Sequence, residues 1–340
     1  MSTRHKIQRL TLICGLALAA QAHAWGPDGH HLVGAVADKL IAGSHAEQQV
    51  GAILGTLPLR DAAVWADCAK GVDPTKNYTY QGAGHYAECK IFENADEEAK
   101  MSDYVRRNDN NCVRKPSEES CHKQYHYADI AIQHDHYDAG YQGARNDDVV
   151  AAISAAVQVL QGQAAPAPFS FKDKREALLL LTHFAGDIHQ PLHVGAVYLD
   201  AKGKRVNPDQ GTFDPATETR GGNDILLNKG SAVKSGNLHA AWDDYPASLS
   251  KTTVDAALLQ RARAITASSG DMQSWPQAWA SDTVLGAQQA FKSLVFGPKK
   301  GSHWSVTVSS TKATNMDVIK KAQLAKAGKR LADLLQAIWP

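Results

Sequence analysis

The sequence predicts an all-α fold, and three observations carry that prediction. Six stretches repeat apolar residues at three- and four-residue spacing, the period of a helix with one buried face. The stretches between them are polar or rich in Gly, Pro and Asp. The chain has 340 residues, of which the first 24 read as a leader, and the remaining 316 are within reach of one large helical core.

The leader comes first. Arg4, Lys6 and Arg9 form a basic start, and Leu10 to Ala20 is an apolar run too short to span a bilayer. Ala22-His23-Ala24 then offers small residues at both cleavage-determining positions, so the mature chain is expected to begin at Trp25. The alternative is a membrane anchor, which the short run ending in Ala-x-Ala disfavours. An exported protein, secreted or periplasmic, with no membrane span after leader removal is expected.

The helical stripes follow. Leu32, Val33, Val36, Ala37, Leu40 and Ile41 make the first; Val149, Val150, Ile153, Val157 and Leu160 make the second, over Asp147 to Gln161. Lys172 to about Ile188 is a third, with Leu178, Leu179, Leu181 and Phe184. Val254 to Ala267 and Ser274 to Phe296 read the same way, and the last runs from about Val318 to Ile338. Gly71 to Gly84, Arg107 to Ser120, Gln161 to Ser170 and Asp200 to Arg220 read as loops, the last with room for a short β-hairpin or a flap. Residues 68–124 read as a loop-rich insertion within one domain, 25–340, without internal repeats.

Cys14 leaves with the leader. Cys68, Cys89, Cys112 and Cys121 remain, an even set that favours two disulfides in an exported protein. Three pairings exist. Cys68–Cys89 and Cys112–Cys121 are preferred because they join sequence neighbours. No C-x-x-C spacing supports a cysteine metal site. Losing the three basic leader residues takes the formal net charge from +1 to −2, so any attraction for polyanions must be local.

Thirteen histidines remain in the mature chain, and several stand at helical spacing from carboxylates. His183 and Asp187 share a helix face at i, i+4, and His239 and Asp243 repeat the arrangement. One such pair alone is usually a hydrogen bond on a solvated face. Here the helix of His183 is apolar on most sides, so a buried charged pair there needs compensation, which a divalent cation supplies. Imidazole and carboxylate without thiolate suit zinc. His189 and His193 follow, with Pro191 expected to end the helix and swing His193 off its line. At the start of the mature chain, Trp25 presents an α-amine, a zinc donor once deprotonated, five residues before His30. Asp67, Lys70 and His126 are weaker signals alone: a helix-end carboxylate, a solvated lysine and a core histidine explain them equally.

Together these stretches resemble the zinc-dependent S-one/P-one nucleases. The resemblance rests on W-G-x-x-G-H at Trp25 to His30, W-A-D-x-x-K at Trp65 to Lys70 and H-Y-x-D at His126 to Asp129. It continues through H-F-x-G-D-I-H-Q-P-L-H at His183 to His193, G-G-N at Gly221 to Asn223, N-L-H-x-x-W-D at Asn237 to Asp243 and A-G-x-R-L-A at Ala327 to Ala332. It implies a mainly helical fold of the phospholipase C and nuclease type, holding three zinc ions. One ion would take Asp67, His126, His183 and Asp187; a second Trp25, His30 and Asp187; the third His193, His239 and Asp243. The segment between Asp67 and His126 is longer than the family pattern and contains His85-Tyr86, so His85 is an alternative ligand to His126.

The resemblance further implies endonuclease action on single-stranded DNA and RNA. Hydroxide would attack phosphorus in line, with Asp67 orienting it or taking its proton and Lys70 adding positive charge. Products would carry a 5′-phosphate, and 3′-nucleotidase activity can accompany this. Tyr127 is expected to stack a base, and Asn223 and Asp224 to touch its edge or shape a loop. A monomer is expected. The nearest rival is a zinc phospholipase C, which ends its last metal motif in Glu where this chain has Asp243. A rival of another class is a non-catalytic zinc-binding protein, which has no need of Asp67 and Lys70.

Overall fold

The computed structural model describes residues 25–112 and 119–340. The expected leader lies outside the described residues, as do residues 113–118 of the Arg107–Ser120 loop.

Helix α1 (Pro27–Ile41) opens with Pro27 in its first turn, where a missing N–H breaks no helical bond, and buries Leu32, Val33, Val36, Ala37 and Ile41. Helix α2 (His45–Leu54) is capped by Ser44, whose hydroxyl accepts from Glu47 N. Two short helices, α3 (Leu59–Ala62) and α4 (Trp65–Ala69), lead into the insertion. That segment contains α5 (Ala95–Asn111) and α6 (Cys121–Gln124). Next come α7 (Val149–Leu160) and α8 (Lys174–Asp187), capped by Asp148 and Asp173. The short α9 (Pro191–Val194) and α10 (Leu238–Asp243) precede α11 (Ala256–Arg263), α12 (Trp275–Phe291) and α13 (Ser310–Ile338).

The core forms around α8, every residue of which from Glu176 to Asp187 is buried. Helix α7 packs along α8; α1 packs along α13, α3 and α8; α12 packs on α9 and α7. Burying apolar faces on several sides of one helix is what lets polar residues at its end be sealed from water. The described strands are two or three residues long and form only two-stranded ladders. β1 (Val72–Asp73) pairs antiparallel with β2 (Thr79–Tyr80), and β3 (Ile130–Ala131) pairs parallel with β4 (Gly195–Ala196). β5 (Tyr198–Leu199) and β6 (Arg205–Val206) make a hairpin whose first strand lies just before the Asp200–Arg220 stretch where one was expected, and β7 (Ile225–Leu227) runs parallel to β8 (Trp304–Val306). No helix among the described residues is long and apolar enough to cross a membrane.

The all-α reading and both disulfides, Cys68–Cys89 and Cys112–Cys121, are as expected. Several bounds are not. The insertion is less loop-rich than its polarity suggested, because α5 spans 17 residues of it. That helix is capped by Asn94, has Asp96, Glu97 and Glu98 in its first turn, and buries only Glu97, Met101, Tyr104, Val105 and Asn108. Pro191 does not merely end α8: it occupies the first turn of α9, which carries His193. Helix α12 stops at Phe291, α11 at Arg263, and α13 begins at Ser310, two turns before the apolar stripe that announced it.

Candidate metal centre

Four buried histidines and three carboxylates meet where α1, α4, α8, α9 and α10 converge, joined by His126 just beyond α6. Three groups of ligand atoms form, each within 4.8 Å: His30, His183 and Asp187; Asp67, His126 and His183; His193, His239 and Asp243. The two carboxylate oxygens of Asp187 face different neighbours. Oδ2 lies 2.9 Å from His126 Nδ1 and 3.1 Å from His183 Nε2, while Oδ1 lies 3.5 Å from His30 Nε2. Asp67 Oδ1 is 3.6 Å from His183 Nε2 and 2.7 Å from Lys70 Nζ.

Backbone carbonyls fix the rings. A carbonyl only accepts, so the imidazole nitrogen beside it donates, and in a neutral ring the other nitrogen carries a lone pair. His193 Nδ1 donates to His126 O at 2.7 Å, and His239 Nδ1 donates to Gly221 O at 2.8 Å. Their Nε2 atoms are therefore both acceptors, yet they face each other at 3.1 Å, with Asp243 Oδ2 3.6 Å from His239 Nε2. His183 Nδ1 likewise donates to Ala63 O at 2.6 Å, leaving Nε2 to face the Asp187 and Asp67 carboxylates. Neither ring nitrogen of His30 nor Oδ1 of Asp187 has a hydrogen-bond partner. Convergent buried lone pairs without a donor repel; a cation among them turns repulsion into coordination. The donor set, imidazole and carboxylate without thiolate, fits zinc.

The electrostatics divide the rings: burial holds His30, His126, His193 and His239 low, while at His183 burial is outweighed by Asp187 and Asp67, which raise it. Burial and the neighbouring His183 push His30 down to about 3, and burial and His193 push His239 down to about 3, so both rings favour the neutral form that a cation needs. Burial alone would raise Asp187, but His183 and His126 hold it well below the ordinary carboxylate range. Burial drives Asp243 well above that range despite Gln190 and Lys320, so its charged form needs a cation. For Lys70, burial opposes the ammonium, yet Asp67 and Asp187 outweigh it and hold the group above its ordinary value.

Two glycines give the rings their room. A Cβ on Gly186 would lie 2.8 Å from His30 Nδ1, so only glycine lets His30 stack on His183, centroids 3.9 Å apart. Gly221 has φ 57° and its Cβ would strike Leu192 O. Trp25 is fully buried, and its indole N–H donates to Gly186 O at 2.9 Å. Gly26 N donates to Asp243 O at 3.0 Å, so residues 25 and 26 are fastened to both α8 and α10. In the unprocessed chain Trp25 N is an amide joined to Ala24, so this placement concerns the position of residue 25 only.

The structure brings together eight of the nine expected ligand side chains or positions by direct side-chain contact: His30, Asp67, His126, His183, Asp187, His193, His239 and Asp243. His85 is not among them; it is exposed and lines a neighbouring cavity. Tyr127 is half-buried next to His126. Asn223 Nδ2 donates to Arg220 O at 2.9 Å, and Asp224 Oδ2 lies 3.7 Å from Arg220 Nε, so both shape the turn that presents Gly221 O to His239. Sequence reasoning missed Gln190, which is fully buried and donates from Nε2 to Asp243 Oδ1 at 2.8 Å. Its place inside the H-Q-P-L-H stretch was the one signal that pointed to it.

The family model described as S1/P1 Nuclease matches residues 25–340. Endonuclease 5 of Arabidopsis thaliana is 25% identical over 351 residues, covering 97% of both chains. Endonuclease 3 and Endonuclease 4 of the same plant are each 28% identical over 181 residues, or 48% of this chain and 51% and 50% of theirs.

Proposed function

Because the chain belongs to the S1/P1 nuclease family, we propose that it is a zinc endonuclease that hydrolyses single-stranded DNA and RNA to 5′-phosphate products. The nuclease assignment follows from the family and from its endonuclease relatives. The observation that carries the rest is the set of convergent, buried imidazole and carboxylate atoms beside an Asp67–Lys70 pair.

His126, His183 and Asp67 would hold one ion with Asp187 Oδ2, and His30 a second with Asp187 Oδ1 and the main chain of Trp25. His193, His239 and Asp243 would hold the third. Zinc, when bound, supplies positive charge against the phosphoryl oxygens and brings the pKa of water toward neutrality. Asp67 faces this centre with one oxygen and Lys70 with the same oxygen, so it orients the attacking water and receives its proton. Lys70 remains charged and offsets the negative charge that accumulates in the transition state. Tyr127 stacks an unpaired base, worth about 1–3 kcal/mol, and Asn223 and Asp224 shape the turn beside it. A recessed centre favours a flexible strand over a rigid duplex, and 3′-nucleotidase activity is the same chemistry on a terminal phosphate.

We extend the proposal to maturation: residues 1–24 are removed on export, freeing the Trp25 amine as a ligand. The test compares two forms, one starting at Trp25 and one keeping extra residues before it, on single-stranded DNA, duplex DNA and phosphatidylcholine. Cleavage of the single strand with three zinc ions in the Trp25 form, and fewer ions and slower cleavage in the longer form, is expected. Hydrolysis of phosphatidylcholine alone would replace the nuclease reading with a phospholipase; no product from any substrate would favour zinc storage.

A further inference from the structure

The insertion builds a second space against the back of the Asp67–Lys70 pair. A cavity of ~280 Å³ is walled by Lys70, Asp73, Gln81, His85, Tyr86 and Lys123. Lys70 belongs to both spaces: its Nζ is 2.7 Å from Asp67 Oδ1, and it also lines the cavity. The other walls come from the insertion, namely β1, the loop after β2, and α6. Both disulfides hold these walls. Cys89 lies three residues after Tyr86 and is bonded to Cys68, next to Asp67; Cys121 lies two residues before Lys123 and is bonded to Cys112. The cavity is thus tied to the catalytic pair and does not depend on a free loop.

Its walls carry two lysines and one aspartate. Among the described residues Lys123 makes no ion pair within 4.0 Å. Burial lowers its amine below the ordinary value, Glu119 opposes this and Lys70 adds to it, so two ammonium groups share one region. One acid stands on the wall: Asp73 Oδ1 accepts from Thr75 N at 2.8 Å and Thr75 Oγ1 at 2.7 Å, which keeps the carboxylate charged, and it favours the Lys123 ammonium. His85 is exposed, with its ring 6.4 Å from that of Tyr86. Two cations, an imidazole and a phenol ring around a small space suit a phosphate with a flat ring attached. The volume suits a single nucleotide.

We propose that this cavity is a subsite for the nucleotide adjoining the one cleaved, with Lys123 and His85 on its phosphate and Tyr86 against its base. It rests on the nuclease reading above. The long segment between Cys68 and Lys123 then serves to grip a strand beyond the scissile bond.

The test uses the zinc-loaded mature protein on decathymidylate and on a thymidine dinucleotide, which has no second phosphate to place. Lys123→Glu should raise KM for the decamer about ten-fold, leave kcat within two-fold and leave the dinucleotide unaffected. Lys123→Arg should restore the wild-type KM. The slope of log KM against log salt should fall by about 0.7 in Lys123→Glu, the share of one single-strand phosphate. His85→Ala, at an exposed side chain, should raise the decamer KM alone by a smaller factor. Unchanged decamer KM in both variants, or equal losses on both substrates, overturns the subsite while wild-type cleavage keeps the nuclease reading. Failure of the wild type to cleave either substrate overturns the nuclease reading itself.

Discussion

His183 and His189 lie six positions apart and are both fully buried, yet they finish in opposite states. Each donates one ring N–H to a carbonyl: His183 to Ala63 O and His189 to Ala185 O at 2.7 Å. They differ at the second nitrogen. His189 Nε2 receives the Arg330 guanidinium at 3.0 Å, and Arg330 in turn donates to Asp282 at 2.9 Å, which also pairs with Lys326. Both ring nitrogens and the charges of Arg330, Lys326 and Asp282 have partners there. His183 Nε2 meets only His126, Asp187 and Asp67. Burial and a nearby carboxylate do not distinguish a metal centre from a structural network, since both regions have them. A deficit of donors does.

That contrast can be broken by substitution, starting with its strongest claim. Asp187→Asn removes the charge shared by two groups of ligands, so turnover on single-stranded DNA should fall by roughly 10³-fold, several kcal/mol of lost stabilisation. Elemental analysis should show lost zinc as well, and an unchanged ion count would refute the bridging role. Gln190→Ala leaves the ligands but frees Asp243, and should weaken zinc at His193 and His239 by about 10–100-fold in a chelator competition. Removing zinc with a chelator should lower stability by about 2.7 kcal/mol relative to protein held at a hundred times the dissociation constant. A melting temperature insensitive to zinc would mean that the cluster is satisfied without it. His189→Ala should cost roughly 1–3 kcal/mol in a denaturant titration, because Arg330 loses an acceptor, and leave zinc content and turnover nearly unchanged. Loss of metal in that variant would erase the distinction between the regions.

The sequence made half of this contrast visible. The i, i+4 spacing of His183 and Asp187 is a local property, and the apolar run around them announces burial. The same local view could not separate His189, because its partner Arg330 stands 141 residues away. Gln190 was hidden for a related reason: it meets Asp243 across 53 residues, and neither spacing nor composition records that approach. Helix α5 was missed because its stripe is thin. Met101, Tyr104 and Val105 are its only buried apolar side chains, and charged residues dominate the rest. By contrast the disulfide pairs were readable, since nearest-neighbour cysteines in an even set need little tertiary information. Tyr127, Asn223 and Asp224 stand beside the centre without touching it, so their assignment to substrate depends on the strand they receive.

The indole of Trp25 reaches its acceptor on Gly186 across 161 residues of chain. At about 5–20 residues per second of synthesis, the tryptophan waits roughly 8–32 s for that carbonyl to be made. Throughout that interval the first turn of the mature protein has nowhere to dock, and Asp243 arrives later still. The pocket can therefore close only once Asp243 has been made, with 97 residues still to follow, which leaves a window for a chaperone, a protease or a premature ion to reach its earliest half.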